Sequence, residues 1–180
     1  MDVALLSVAS KKSFNYFGML AAKDYWFDSK VKRFLVNTVM NLIPIDRKVD
    51  GIRKFPIEGT IKLCNAFMNH NQRNIIIFPE GTRGEPGEIL PFQKGPAIFS
   101  LNLNKPILPA VIFGSHKIWP RGKVFFSWPT RIHIYILEPL YPDSFLAETN
   151  ENGKKMDLAV KNMTSVLEKK IKKKAEQLYE

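Results

Sequence analysis

The chain has 180 residues, which suits one domain with a single core, and 45% apolar with 24% charged residues excludes a disordered polymer. Lys and Arg number 27 against 17 Asp and Glu, a net charge of +10 that calls for an anionic partner: nucleic acid, an anionic membrane surface or a phosphorylated small molecule. Cys64 is the only cysteine, which excludes an internal disulfide and points to a reducing compartment. Val3 to Ala9 reads as a short helix, preceded by Asp2 and followed by Lys11-Lys12, which does not suit a signal peptide. No apolar run is long enough to span a bilayer, so any membrane contact by this chain is expected from the surface.

Phe14 to Met19 reads as a strand, and Ser29 is a candidate cap for a helix reaching about Asn41, with Val31, Phe34, Leu35, Val39 and Leu42 on one face. Leu42 to Ile45 is a short strand ending at Asp46-Arg47, and Ile57 to Met68 has helical spacing that makes Cys64 a core residue. Asn74 to Phe78 is an apolar β run that stops at Pro79, consistent with a buried parallel strand. Gly95 to Leu103 predicts a helix, Ile107 to Phe113 a buried strand, and Lys123 to Ser127 with Arg131 to Leu137 a late pair of strands. From Lys154 to Tyr179 the pattern is helical, with Met156, Val160, Met163, Leu167, Ile171 and Leu178 near one face and Lys161, Lys169, Lys172 and Lys173 opposite. This basic amphipathic helix either docks on the domain or lies on anionic lipid.

The segment Phe78-Pro79-Glu80-Gly81-Thr82-Arg83 carries the chemistry. It follows a strand, and ligands of α/β folds gather at the carboxyl ends of strands. Gly81 allows close backbone approach, Thr82 offers a hydroxyl, Arg83 offers a fork suited to phosphate, and Glu80 is placed to hold that fork. The competing reading is a plain turn with a local Glu–Arg pair. His70, His116 and His133 are isolated, without metal-ligand spacing.

This segment resembles the signature of the glycerophospholipid acyltransferases of the 1-acyl-sn-glycerol-3-phosphate acyltransferase type. Ala22-Lys23-Asp24, Ile43-Pro44-Ile45-Asp46-Arg47, Phe92-Gln93-Lys94-Gly95 and Ile107-Leu108-Pro109-Ala110-Val111 resemble its other blocks in the right order, from about Asp2 to Leu137. The resemblance implies an α/β fold with a mixed, largely parallel sheet flanked by helices, here with a C-terminal basic amphipathic helix. It divides the chain into an acyltransferase domain over 1–140, lacking its N-terminal portion, and a C-terminal segment over 141–180. It implies transfer of a fatty acyl group from acyl-CoA or acyl carrier protein to the free hydroxyl of lysophosphatidic acid, giving phosphatidic acid in phospholipid biosynthesis. The acyl donor is a substrate, and neither metal nor prosthetic group is implied.

Carried onto this sequence, Arg47 and Arg83 hold the acceptor's phosphate, Glu80, Gly81 and Thr82 shape the pocket, and Lys23 is a further phosphate contact weighed against a solvated lysine. Lys94 and Lys105 are weighed in the same way as contacts for the phosphates of coenzyme A. The family's first block is His-x-x-x-x-Asp, in which the His is general base and the Asp orients it. Asp2 matches the Asp, and the His would stand ahead of Met1. The expectation is a domain that begins inside its first block and is catalytically poor as it stands. The alternative is a non-catalytic phospholipid-binding member lacking the general base. A membrane-associated protein on the cytoplasmic face is expected, without nucleic acid as partner, since no nucleic-acid motif accompanies the charge.

Overall fold

The computed structural model describes residues 2–22, 41–45, 57–82, 84–85, 87–115, 131–146 and 154–179, in two compact units, an N-terminal one over Val3–Ile77 and a C-terminal one over Phe78–Glu180 with which Asp2 groups. In the N-terminal unit, α1 (Asp2–Ser10) ends with Lys11 in the left-handed region. There the Lys12 amide reaches back to the Ser7 carbonyl, and the Ser7 hydroxyl donates to the Lys12 carbonyl at 2.6 Å. This 6→1 closure satisfies carbonyls that a helix end leaves open. The strand expected from Phe14 begins later, because Phe14–Tyr16 form a 3₁₀ turn whose Tyr16 amide bonds to the Ser13 carbonyl.

Strand β1 (Phe17–Ala22) lies between β2 (Leu42–Ile45) and β3 (Asn74–Ile76), parallel to both. The β3 ladder stops at Ile76, two residues short of the apolar run, because the Phe78 carbonyl is taken by the turn that follows. Its residues are half-buried or exposed, less covered than the apolar run predicts. Among the described residues β2 is an edge strand, the place in a sheet where Pro44 is tolerated.

Helix α2 (Ile57–Asn69) links β2 to β3. Its buried Thr60 donates its hydroxyl to the Pro44 carbonyl at 3.1 Å, tying helix to strand. Cys64, one turn on, has no exposed surface, and burial pushes its thiol up to about 12. The core reading of this cysteine therefore holds, since a thiol kept protonated is a poor nucleophile. The helix expected to reach Asn41 lies outside the described residues except at its end, where Asn41 has φ 46° and its side-chain amide donates to the Asn15 and Phe17 carbonyls.

The C-terminal unit is built around α3 (Gly95–Leu103) and α5 (Lys154–Tyr179). Pro96 opens α3 where a missing amide costs nothing, and Asn104 in the left-handed region closes it. The Lys105 amide and the Ser100 hydroxyl complete the same closure seen after α1. Ala97 and Leu101 pack with Ala159, Val160, Met163 and Leu167 of α5, joined by Phe92 and Leu140. Met163 is fully buried. Side chains of this size gain about 1.5–3 kcal/mol each on full burial.

Of the two readings of the C-terminal helix, docked on the domain or laid on lipid, that packing favours the docked one. Val160, Met163, Leu167 and Ile171 are committed to the protein core, and Met156 stands outside it. The basic face is partly committed as well. Lys172 pairs with Glu168 at 2.6 Å, Lys170 donates to the Glu138 carbonyl, and Lys174 sits over the Tyr135 ring.

Strand β4 (Ala110–Phe113) pairs antiparallel with β5 (His133–Ile136), with Val111 opposite Tyr135. The run expected from Ile107 is interrupted at Pro109, which has no amide to give. Ile107 instead makes an isolated bridge to Leu140. Helix α4 (Pro142–Leu146) adds Phe145 and Leu146 to the core. The late strand over 123–127 lies outside the described residues. No helix among the described residues is long and apolar enough to cross a membrane.

Gly114, which ends β4, has φ 92°, and a Cβ there would stand 2.8 Å from the Arg131 carbonyl oxygen. Gly114→Ala is expected to lower unfolding free energy by about 1–3 kcal/mol, from left-handed strain and the contact with backbone. Urea denaturation of the two chains measures it.

Candidate active site at the turn after β3

The signature turn is a set of main-chain closures. The Gly81 amide bonds to the Phe78 carbonyl at 3.2 Å, and Gly81 has φ 69°, a conformation in which a Cβ is strained. A Cβ at Gly81 would also press on the Gln93 Cγ at 3.3 Å. Glycine was expected here for close approach to a ligand; the geometry gives a separate reason for it, the left-handed backbone. Thr82 is exposed, so its hydroxyl is open to a ligand.

The turn is held from its far side by residues 90–93. The Gln93 amide donates to the Pro79 carbonyl at 2.8 Å, and the Leu90 amide donates to Glu80 Oε2 at 3.0 Å. A carboxylate that accepts an amide makes a stronger bond than a neutral acceptor. Glu80, expected to brace Arg83, therefore has one oxygen committed to the backbone ten residues on. Phe92, between these two amides, sends its ring into the core and its own amide to Glu168 Oε2 at 3.4 Å. The Lys172 ammonium at Glu168 Oε1, with help from the Phe92 amide, holds the Glu168 carboxyl below the usual carboxylate range. Leu90, Phe92 and Glu168 were missed as site-forming residues because bonds to main-chain amides carry no side-chain signature.

The other candidates fall as follows. Asp2 is half-buried in the first turn of α1, where the helix dipole favours a carboxylate. It groups with the C-terminal unit, as do Glu80, Gly81 and Thr82. Lys23, Arg47 and Arg83 lie outside the described residues. In the chain, Lys23 directly follows β1 and Arg47 stands two places after β2, both at carboxyl ends of parallel strands. Lys94 and Lys105 are exposed at the two ends of α3. His70 and His133 are exposed, and His133 stacks on Tyr135. His116 lies outside the described residues. Among the described residues no group of three or more His, Cys, Asp or Glu is placed to hold a metal.

A protein-family model described as Acyltransferase matches residues 1–113. A 1-acyl-sn-glycerol-3-phosphate acyltransferase of Limnanthes douglasii is 35% identical over 92 residues, covering 50% of this chain and 32% of the relative. One of Helicobacter pylori strain J99 is 36% identical over 107 residues, covering 59% of this chain and 43% of the relative. The crystal structure of the 1-acyl-sn-glycerophosphate acyltransferase PlsC from Thermotoga maritima superposes with a TM-score of 0.59 at 18% identity, over 91% of this chain and 57% of that one. The chain belongs to the acyltransferase family, with the mixed α/β fold of that solved structure. It spans well under half the length of these two curated relatives.

Glu80→Ala would leave the half-buried Leu90 amide without its acceptor, a loss of about 1 kcal/mol. Faster amide hydrogen exchange at Leu90, with little change in the α5 amides, is the expected outcome.

Proposed function

We propose that the protein carrying these residues transfers a fatty acyl group to the free hydroxyl of lysophosphatidic acid, giving phosphatidic acid. The observation that carries this reading is the match over residues 1–113 together with a glycine-dependent turn, Glu80 to Thr82, just after a parallel strand. The relatives' names supply the acceptor. The donor is acyl-CoA or acyl carrier protein, used as a substrate.

The chemistry needs few parts. The acceptor oxygen attacks the thioester carbonyl carbon, its proton passing to the histidine of the family's His-x-x-x-x-Asp block. The tetrahedral intermediate then expels the thiolate, which takes the proton back as the C–S bond breaks. Asp2 occupies the orienting position of that block. Arg83 and Arg47 are assigned to the acceptor's phosphate, where a planar guanidinium bonds two oxygens at once. Lys23 is a further phosphate contact, and Gly81 with Thr82 shapes the pocket.

Incubated with acyl-CoA, a protein carrying these residues together with the histidine of that block is expected to release free coenzyme A only when lysophosphatidic acid is present. Arg83→Ala should lower kcat/KM about tenfold or more, the worth of a charge-assisted phosphate bond. Binding of lysophosphatidic acid that depends on Arg83, with no release of coenzyme A, would instead establish a phospholipid-binding member without turnover.

A lipid substrate also places the protein at a membrane, and the net charge of +10 favours an anionic surface on the cytoplasmic side. With the apolar stripe of α5 inside the core, this attraction rests on charge more than on insertion. Sedimentation with phosphatidylserine-containing vesicles should therefore weaken steeply as salt rises through the physiological range. A flat salt series would rule out charge as the attracting force.

A further inference from the structure

We propose that Glu168 is a positioning residue for the phosphate-binding turn, setting the 90–93 segment against residues 79–81 through the amide of Phe92. This rests on the reading of the turn as the acceptor's phosphate site. Nothing about a lysine-rich helix beyond residue 113, where the family match ends, marks this residue in advance.

The argument begins with the two oxygens of one carboxylate. Oε1 takes the Lys172 ammonium at 2.6 Å, and Oε2 takes the Phe92 amide at 3.4 Å. An i,i+4 pair on a helix surface adds little by itself. Here it fixes the rotamer that aims the second oxygen at the loop. Leu167, the preceding residue, packs in the core that holds the Phe92 side chain. Two adjacent residues of α5 thus grip Phe92, one by its ring's surroundings and one by its backbone.

From Phe92 the constraint passes one residue forward and two residues back along the segment. Gln93 donates to Pro79, and Leu90, two places back, donates to Glu80. Gly81 then lies with no spare room against Gln93 Cγ. Shifting Phe92 by a fraction of an ångström displaces both donors that define the turn. The ligand-facing atoms of Gly81 and Thr82 move with them. The longest bond in this chain of closures is the one made by Glu168, which makes it the point where a small change in side-chain reach is felt.

Two substitutions separate reach from charge. Glu168→Gln removes the charge and keeps an acceptor oxygen of the same reach. Glu168→Asp keeps the charge and withdraws the oxygen by one methylene. Simple attraction between a basic protein and an anionic lipid predicts tighter binding for Gln and no change for Asp. Positioning predicts the reverse order.

The test is calorimetric titration of the chain with lysophosphatidic acid below its micelle concentration, alongside monoacylglycerol of the same chain length. Thermal melts of each variant establish that it is folded. Expected are about five- to tenfold weaker binding of lysophosphatidic acid by Glu168→Asp and Glu168→Ala, and partial rescue by Glu168→Gln, whose single acceptor oxygen keeps the Phe92 amide and gives up the Lys172 pair. Monoacylglycerol binding should stay unchanged throughout. Should Glu168→Ala fail to fold, the Asp and Gln chains, altered at a partly exposed helix position, carry the comparison. Equal affinity in the parent and Glu168→Asp chains would overturn the assignment while leaving the phosphate site intact. A parent chain that binds both lipids equally would overturn the phosphate site itself, and the role of Glu168 with it.

Discussion

The packing of α5 against α3 is the contact on which the C-terminal unit rests. Small residues permit it: Ala97 on one helix and Ala159 on the other are both fully buried and let the larger Val160, Met163 and Leu167 fill the space between. Phe92 and Leu140 enter the same core from segments with no regular structure of their own. A loop with so few internal hydrogen bonds holds its course because a large side chain anchors it, and the course of residues 88–93 matters because the signature turn is bonded to it.

The turn is defined less by its own residues than by what they are bonded to. Gly81 supplies a conformation, Glu80 a carboxylate, and Pro79 a carbonyl. The partners of the last two are amides of a segment ten or more residues away. For the proposed phosphate site such closures matter because a turn already held by its bonds leaves less ordering cost to binding. In the N-terminal unit the same economy of means ties α2 to β2, where the Thr60 hydroxyl satisfies the carbonyl of an edge-strand proline.

Much of this was legible in the residues. Gly95–Leu103 and Lys154–Tyr179 follow from helical spacing with a proline at one start and a left-handed asparagine at one end. Leu42–Ile45 and the helix from Ile57 follow from apolar runs between breakers. The turn at Gly81 was legible because a glycine and a proline directly after an apolar strand run mark a change of chain direction. Less legible were features decided at long range. The antiparallel pairing of β4 with β5 depends on where the chain returns after residue 130, and the 3₁₀ turn at Phe14 competes with a strand that the same residues would also accept. The fate of the α5 stripe was open because a core and a lipid surface ask for the same residues. The supports of the turn were invisible for a simpler reason: every residue but proline has an amide, so the choice of Leu90 and Phe92 as donors leaves no trace in residue type.

The span between the signature turn and the helix that braces it bears on how the protein is made. Glu168 lies 76 residues beyond the amide it holds. During synthesis β1, β2, β3 and α2 are complete once Ile76 has emerged, since among the described residues every partner in that sheet precedes it. Residues 79–93 emerge next and then wait for α5, with Phe92 and Ile89 lacking the surface they pack against until Ile171 has left the ribosome. At about 5–20 residues per second that interval lasts several seconds, during which the Gly81 turn is without the Glu168 support and Phe92 and Ile89 are without α5. The nascent protein is therefore open to chaperone capture at the segment that carries this turn.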